Sequence, residues 1–297
     1  MTNESHGPTL TLQAHAKINL SLDVLHKRRD GYHHLCMIMQ EISLHDEVHL
    51  RLTPEPGIRL TTNAGFLPVD QGNIAWKAAE RLARGAGVSL ESQGVAIHID
   101  KQIPVAAGLA GGSADAAAVL KGLNALWRLG LSLEELQLIS LPLGADIPYC
   151  LMGGTALAEG IGERLTPLTL AKPFWVVLVK PPVSVSTREV YEALKLDEIE
   201  ERPDTLALIE ALAQADSLTM AGAMANVLET VTIPQVPEIG ELKRRLLALN
   251  ATASLMSGSG PTVFGLFKDQ EKARSAGEKL KRLYREVHVV HTLRRSQ

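Results

Sequence analysis

Cysteine is nearly absent from this chain: Cys36 and Cys150 are the two in 297 residues, far apart and outside any Cys-x-x-Cys pair. A disulfide framework and a structural zinc site therefore have no support. Charge of one sign is lacking too. The formal net charge is −3, without the basic excess that marks a nucleic-acid binder, so no nucleic-acid partner is expected. The short runs Lys27-Arg28-Arg29 and Lys243-Arg244-Arg245 read as solvated surface. No apolar run approaches membrane-spanning length, and Met1–Gly7 has no apolar signal core. A cytoplasmic chain with no membrane contact is expected. Seven of the ten histidines fall in the first fifty residues, yet none has His-Glu-x-x-His spacing. His33 and His34, as strand neighbours, would point to opposite faces, so no metal-ligand set is expected.

What is present is a glycine-rich turn between a strand and a helix. In Gly94–Asp100, Val95, Ile97 and Ile99 alternate with Ala96 and His98, the period of a half-buried strand. Ala114–Leu120 is rich in the best helix former and free of Gly and Pro. Between them lies Pro104-Val105-Ala106-Ala107-Gly108-Leu109-Ala110-Gly111-Gly112-Ser113. Glycines allow positive φ and let an anion approach without a Cβ in the way. The first helical turn adds unpaired N–H groups and a positive dipole end of about half a charge. Together they form a socket suited to a polyphosphate, with Ser113 placed to cap the helix or to offer its hydroxyl to a phosphate or Mg²⁺. The loop is of neither common type. It lacks the Gly-Lys-Ser/Thr ending of a Walker loop and the Gly-x-Gly-x-x-Gly of a dinucleotide site. A helix merely packed close on a sheet would use small residues in the same way.

Further motifs lie along the chain. Thr9–Val24 reads as strand, with Ile18, Leu20, Leu22 and Val24 on one side and Lys17 and Asn19 on the other. Asp30-Gly31 is a turn signal followed by Tyr32 and His33, whose ring faces suit a nucleobase. Asn73 is placed to cap a helix over 73–84, and Ser132-Leu-Glu-Glu135 is a capping box. Asp146 sits in a short loop stiffened by Pro148. The composition changes around 165–173, where a domain boundary is expected. Beyond it come a strand at 174–180, a helix bearing Tyr191 and helices over about 204–215, 217–230 and 237–249. The loop Ser257-Gly258-Ser259-Gly260-Pro261, a strand at 262–267, a helix at about 269–283 and a strand at 286–293 close the chain.

Three separated motifs coincide: the Lys17 strand, Pro-x-x-x-Gly-Leu-x-Gly-Gly-Ser-x-x-Ala over 104–117, and the 257–261 loop. The set resembles the GHMP kinase superfamily. Within it, Ala16–Leu20, Asp30–His33, Gly144–Pro148 and Ala158-Glu159-Gly160 resemble the branch acting on a cytidine-diphosphate-linked methylerythritol in the non-mevalonate isoprenoid pathway. The resemblance implies an α+β, two-domain GHMP kinase fold. A ribosomal-protein-S5-domain-2-like ATP domain would span 1–166 and a ferredoxin-like domain 167–297. It implies ATP and Mg²⁺ as cofactors, a small-molecule cytidine diphosphate substrate, and a monomer or weak homodimer. By position, Asp146 resembles the catalytic base and Lys17 its partner. Pro104, Gly108, Leu109, Ala110, Gly111, Gly112, Ser113 and Ala114 match the phosphate loop, with Lys101 and Asn73 toward the nucleotide's other end. Tyr32, His33 and Tyr191 match the cytosine-binding positions, and Asn19 and Thr187 other substrate contacts. Two departures are visible: Ala106-Ala107 stand where glycines are frequent, and Val227 stands where an acid is frequent, in Asn226-Val227-Leu228-Glu229. A homoserine- or mevalonate-type kinase and a non-catalytic nucleotide-binding regulator are the alternatives.

Overall fold

The computed structural model describes residues 8–295. Two compact units interleave along the chain. The first holds the residues up to Ala16, His45–Ile103 and Ala110–Met152; the second holds Lys17–Leu44, Pro104–Leu109 and the residues from Gly153 onward. Two long strands, β1 (Thr9–Lys27) and β2 (His33–Thr53), pair with each other and contribute a segment to each unit.

The first unit adds β3 (Ile58–Thr62), α1 (Ile74–Ala86), β4 (Gly94–Asp100), α2 (Gly111–Leu126), α3 (Leu133–Ser140) and α4 (Ile147–Met152). Strand β4 lies antiparallel to β2 and parallel to β3. Its period-two pattern decides which face is covered: Val95, Ile97 and Ile99 are buried, while Ala96, His98 and Asp100 are half-buried on the other face. The covered face forms one core with Val48, Leu50, Ala75, Ala78, Ala79 and Leu82 of α1, and Ala114, Ala116–Val119 and Leu120 of α2. Burying each such Leu or Ile contributes roughly 1.5–3 kcal/mol. Alanines and Gly122 let α2 lie low on the sheet; a Cβ at Gly122 would stand 2.2 Å from Leu50 Cδ1. The two expected caps are in place, Asn73 on α1 and the Ser132–Glu135 box on α3.

In the second unit β5 (Thr155–Gly160) pairs with the first part of β2, and β6 (Arg164–Leu168) pairs with β5. Strand β6 falls where the sequence suggested a boundary. It is short and contains Pro167, which a strand bonded on one side tolerates and which hides it from pattern reading. Next come β7 (Trp175–Lys180), α5 (Thr187–Ala193), α6 (Thr205–Gln214), α7 (Ser217–Ala223), α8 (Glu229–Gln235), α9 (Pro237–Ala248), β8 (Ala253–Met256), β9 (Val263–Phe267), α10 (Gln270–Lys281) and β10 (Glu286–His291). The second sheet has the order β10-β7-β9-β8, every neighbour antiparallel. Counted within this region the order is 4-1-3-2, the ferredoxin-like arrangement that the resemblance implied.

The single helix expected over 217–230 is broken into α7 and α8. Residues 225–227 leave the helix to bridge β1: Leu22 N–H donates to Ala225 O, and Val227 N–H donates to Leu22 O. Main-chain pairing to a strand outweighs local helix propensity there. Among the described residues no helix is long and apolar enough to cross a membrane.

Candidate active site

In the first unit, α2 begins at Gly111, three residues before the expected Ala114, because Ala110 takes the left-handed conformation (φ +57°) and turns the chain into the helix. Ser113 is consequently the third residue of the helix, and its side chain does not cap it. The first intrahelical bond runs from Ala114 N–H to Ala110 O at 2.9 Å. The N–H groups of Gly111, Gly112 and Ser113 precede that ladder and face out of the helix end. The two glycines differ in purpose. A Cβ on Gly111 would press on Ile103 at 3.0 Å, whereas one on the exposed Gly112 would meet Ile74 at an ordinary 3.5 Å. Gly111 is small for packing; Gly112 is small with room to spare, as an approach route for a ligand requires.

The remaining first-unit candidates are tied into the protein. The Lys101 side chain is largely covered, its ammonium paired with Asp46 and, at 2.7 Å, with Asp115 of α2. Asp46 Oδ1 also accepts the N–H groups of Gln102 and Ile103. Two carboxyl groups share one cation, and among the described residues Asp115 Oδ1 has no hydrogen-bond partner. Burial pushes the Asp115 carboxyl up to about 8 against the pull of Lys101. For Lys101 burial acts downward, but the charges of Asp115 and Asp46 outweigh it and its pKa is raised. The triad clamps the chain at 102–103 to the fifth residue of α2. Asn73 has both ends of its amide engaged, accepting from Ala75 N–H at the start of α1 and donating to Pro68 O in the preceding loop. Asp146, half-buried, directly precedes α4, and its carbonyl accepts from Cys150 N–H at 3.0 Å. Pro148 is not in a loop but in the first helical turn, where its missing N–H costs nothing.

In the second unit, the face of β1 that alternation left to Lys17 and Asn19 is buried as fully as its apolar face. Lys17 is 5% exposed and Asn19 0%. The Lys17 ammonium donates to Asn19 Oδ1 at 2.8 Å and Gly108 O at 3.3 Å, and its backbone N–H donates to Leu109 O at 3.1 Å. Within this unit the cation thus rests on neutral oxygens. Asn19 is completed by a contact from Nδ2 to Met37 Sδ. Gly108 (φ +73°) is required by space as well as by conformation, since a Cβ would stand 2.1 Å from Ser257 O. Ser257 Oγ donates to Gly108 O at 2.9 Å, so the 257–261 loop braces the glycine turn. Ala106 is left-handed as well (φ +51°), so the alanine stands at a position that favours glycine.

The ring residues of this unit also meet. Asp30 Oδ1 accepts from Tyr32 N–H and its carboxylate pairs with Arg28, shaping the turn that leaves Tyr32 exposed. His33 lies 5.2 Å from Tyr191 of α5, centroid to centroid, with 31° between planes. His34, on the other side of the strand, stacks on His26. Burial, aided by Lys27, pulls the His33 imidazole below its ordinary value, leaving it neutral at pH 7. Thr187, first residue of α5, hydrogen-bonds Ser259 at 2.7 Å.

Four supporting residues were missed in the sequence. Asp46 and Asp115 look like ordinary acids until the fold brings them to Lys101. Asn226 and Glu229 lie in the stretch noted above for lacking an acid at 227. Asn226 Nδ2 donates to Met256 O and Gly258 O, both at 2.8 Å. Glu229 accepts from Met256 N–H and pairs with Lys243, which is therefore not free surface. The work of holding the 257–261 loop falls to the flanking Asn and Glu, while Val227 is buried.

Comparison with known proteins defines the class. The model of the GHMP kinases N terminal domain matches residues 73–154, and that of the GHMP kinases C terminal matches 202–286. The chain belongs to the GHMP kinases. Among its relatives is the 4-diphosphocytidyl-2-C-methyl-D-erythritol kinase of Alkaliphilus oremlandii, 52% identical over 282 residues, covering 95% of this chain and 96% of the relative. The enzyme of that name from Acetivibrio thermocellus is 50% identical over 285 residues, covering 96% and 99%. A crystal structure of a 4-(cytidine 5'-diphospho)-2C-methyl-D-erythritol kinase superposes with a TM-score of 0.80 at 35% identity, over 95% of this chain and 99% of the other. A homoserine kinase from Cytophaga hutchinsonii shares the fold (TM-score 0.78, 21% identity, 100% and 98% covered).

Proposed function

We infer that this chain transfers the γ-phosphoryl group of ATP to the 2-hydroxyl of 4-diphosphocytidyl-2-C-methyl-D-erythritol, releasing ADP and supplying the non-mevalonate isoprenoid pathway. The observation that carries this reading within the GHMP kinases is the His33–Tyr191 ring pair beside the exposed Tyr32. A neutral imidazole set against one aromatic ring, with a second aromatic next to it in sequence, can help stack a pyrimidine and hydrogen-bond its edge. Acceptors of the homoserine or mevalonate kind carry no base to use it. The near-full-length identity to kinases of the cytidylyl substrate supports the same choice.

The nucleotide's phosphates are assigned to the N–H groups at the start of α2 and to Gly108–Ala114, with Pro104 opening the loop. Lys101 and Asn73 are assigned to its other end, and Asn19 and Thr187 to the substrate. Asp146 takes the proton of the attacking hydroxyl, and Lys17 offsets charge on the transferring group, in direct in-line transfer. Mg²⁺ neutralises the phosphate oxygens when bound. Asp46 and Asp115 are occupied by Lys101, so among the loop's own residues Ser113 would offer the hydroxyl, and the ion would be held mainly by ATP and water. The domain limits 1–166 and 167–297, a cytoplasmic location and a monomer or weak homodimer complete the reading.

Coupled ADP release against acceptors with and without the cytidine group tests it. Turnover is expected with the cytidylyl methylerythritol and near background with homoserine, mevalonate and the free methylerythritol phosphate. Equal rates for the acceptors lacking cytidine would overturn the assignment. Tyr32→Ala is expected to raise the KM for the cytidylyl substrate by roughly tenfold to a hundredfold, the worth of one stacked base. The KM for ATP should stay unchanged; an unaltered acceptor KM would remove Tyr32 from the base site.

A further inference from the structure

On the face of the first-unit sheet away from its core, β2 and β4 place two pairs of metal-ligating side chains directly opposite each other. The register sets Glu47 against Asp100 and His49 against His98. Alternation puts all four on one face, half-buried. His49 Nε2 lies 3.2 Å from Asp100 Oδ2 and 3.7 Å from Glu47 Oε2, and His98 Nε2 lies 3.2 Å from Asp100 Oδ1. One donor atom each from Glu47, His49 and Asp100 falls within 4.8 Å of the others. A tetrahedral zinc ion with bonds near 2.0–2.1 Å needs donors roughly 3.3 Å apart, so this spacing is already close to a coordination edge.

The outer atoms of both imidazoles are also held. Thr11 of β1 hydrogen-bonds His49 Nδ1 at 3.0 Å, and Thr61 of β3 hydrogen-bonds His98 Nδ1 at 2.8 Å. The Thr61 hydroxyl also reaches Ile97 O at 3.5 Å; donating there leaves it to accept from His98 Nδ1–H. In that tautomer Nε2 is bare; in the other its N–H donates to the Asp100 carboxylate, and a bound cation would take the place of that proton. Holding one ring nitrogen to aim the other is how metal-binding histidines are oriented. The row Thr11–His49–His98–Thr61 spans four strands, and two carboxylates with two neutral imidazoles balance a divalent charge.

We propose that Glu47, His49 and Asp100, with His98 as the adjacent fourth donor, form a surface site for a divalent transition-metal ion, separate from the Mg²⁺ that accompanies ATP. Mixed nitrogen and oxygen donors suit zinc or its neighbours rather than Mg²⁺, which takes oxygen alone. The ion ties β2 to β4 and stabilises the folded first unit by mass action.

The test is calorimetric titration of Zn²⁺ into the metal-stripped full chain in saturating Mg²⁺. One ion per chain is expected. The His49→Gln/Asp100→Asn double variant should lose this binding while keeping its circular-dichroism spectrum and its kinase rate. Thr61→Val, which removes no ligand, should weaken binding about tenfold to a hundredfold. His26→Gln serves as a control and should bind as the native chain does. Absence of Zn²⁺ binding by the native chain, or undiminished binding by the double variant, would overturn the proposal.

Discussion

Replacing Asp146 with asparagine is expected to lower kcat by about a hundred- to ten-thousandfold while ATP binding stays near native. Asparagine matches aspartate in size and keeps the backbone arrangement ahead of α4, where the residue's carbonyl receives Cys150 N–H. What it loses is the ability to accept a proton, the role proposed for it above. Because the assigned proton transfer occurs in the chemical step, the loss should fall on kcat and on kcat/KM alike. Nucleotide titration followed by single-turnover measurement separates binding from chemistry. A loss below about tenfold would dismiss Asp146 as the base. A loss confined to KM would make it a binding residue.

The second large effect separates two glycines of one loop. Gly108→Ala is expected to destabilise the protein by on the order of 3 kcal/mol, since alanine is strained at φ +73° and its Cβ would collide with the Ser257 carbonyl. Gly112→Ala should leave folding intact or slightly improved: there is space for the methyl, and alanine is the better helix former. Its cost should appear as a raised KM for ATP, because the added methyl stands where the triphosphate is assigned. Thermal unfolding with and without nucleotide, together with ATP kinetics, reads both. Equal melting temperatures for the two variants would contradict the distinct roles. A native KM for Gly112→Ala would move the phosphates away from the start of α2.

Much of the fold could be read locally. The alternation of Val95, Ile97 and Ile99, the Asn73 and Ser132 caps, and the Phe174–Val179 run are signals of period or capping chemistry that act within a few residues. The reading failed where a partner distant in sequence decides the outcome. Residues 225–227 leave their helix for Leu22; β6 hides behind Pro167; Ser113 yields the turn to a left-handed Ala110. Lys17 could be singled out as a lysine on a strand, yet its burial between Asn19 and Gly108 could not be foreseen.

The order of elements, the glycine loop with no Walker lysine, the presence of Lys17 and Asp146, and the aromatic and imidazole groups are properties of the linear chain alone. Local propensity and side-chain chemistry suffice to state them. Tertiary structure decided which glycine is needed for packing and which is open to a ligand, and that Asp46 and Asp115 enclose Lys101. It also decided that Tyr191 meets His33, and that Glu47, His49, His98 and Asp100 form a square across two strands. The physical reason is that strand register and long-range packing are set by the burial of whole faces. A pairing 50 or 150 residues away leaves no trace in the spacing of either partner.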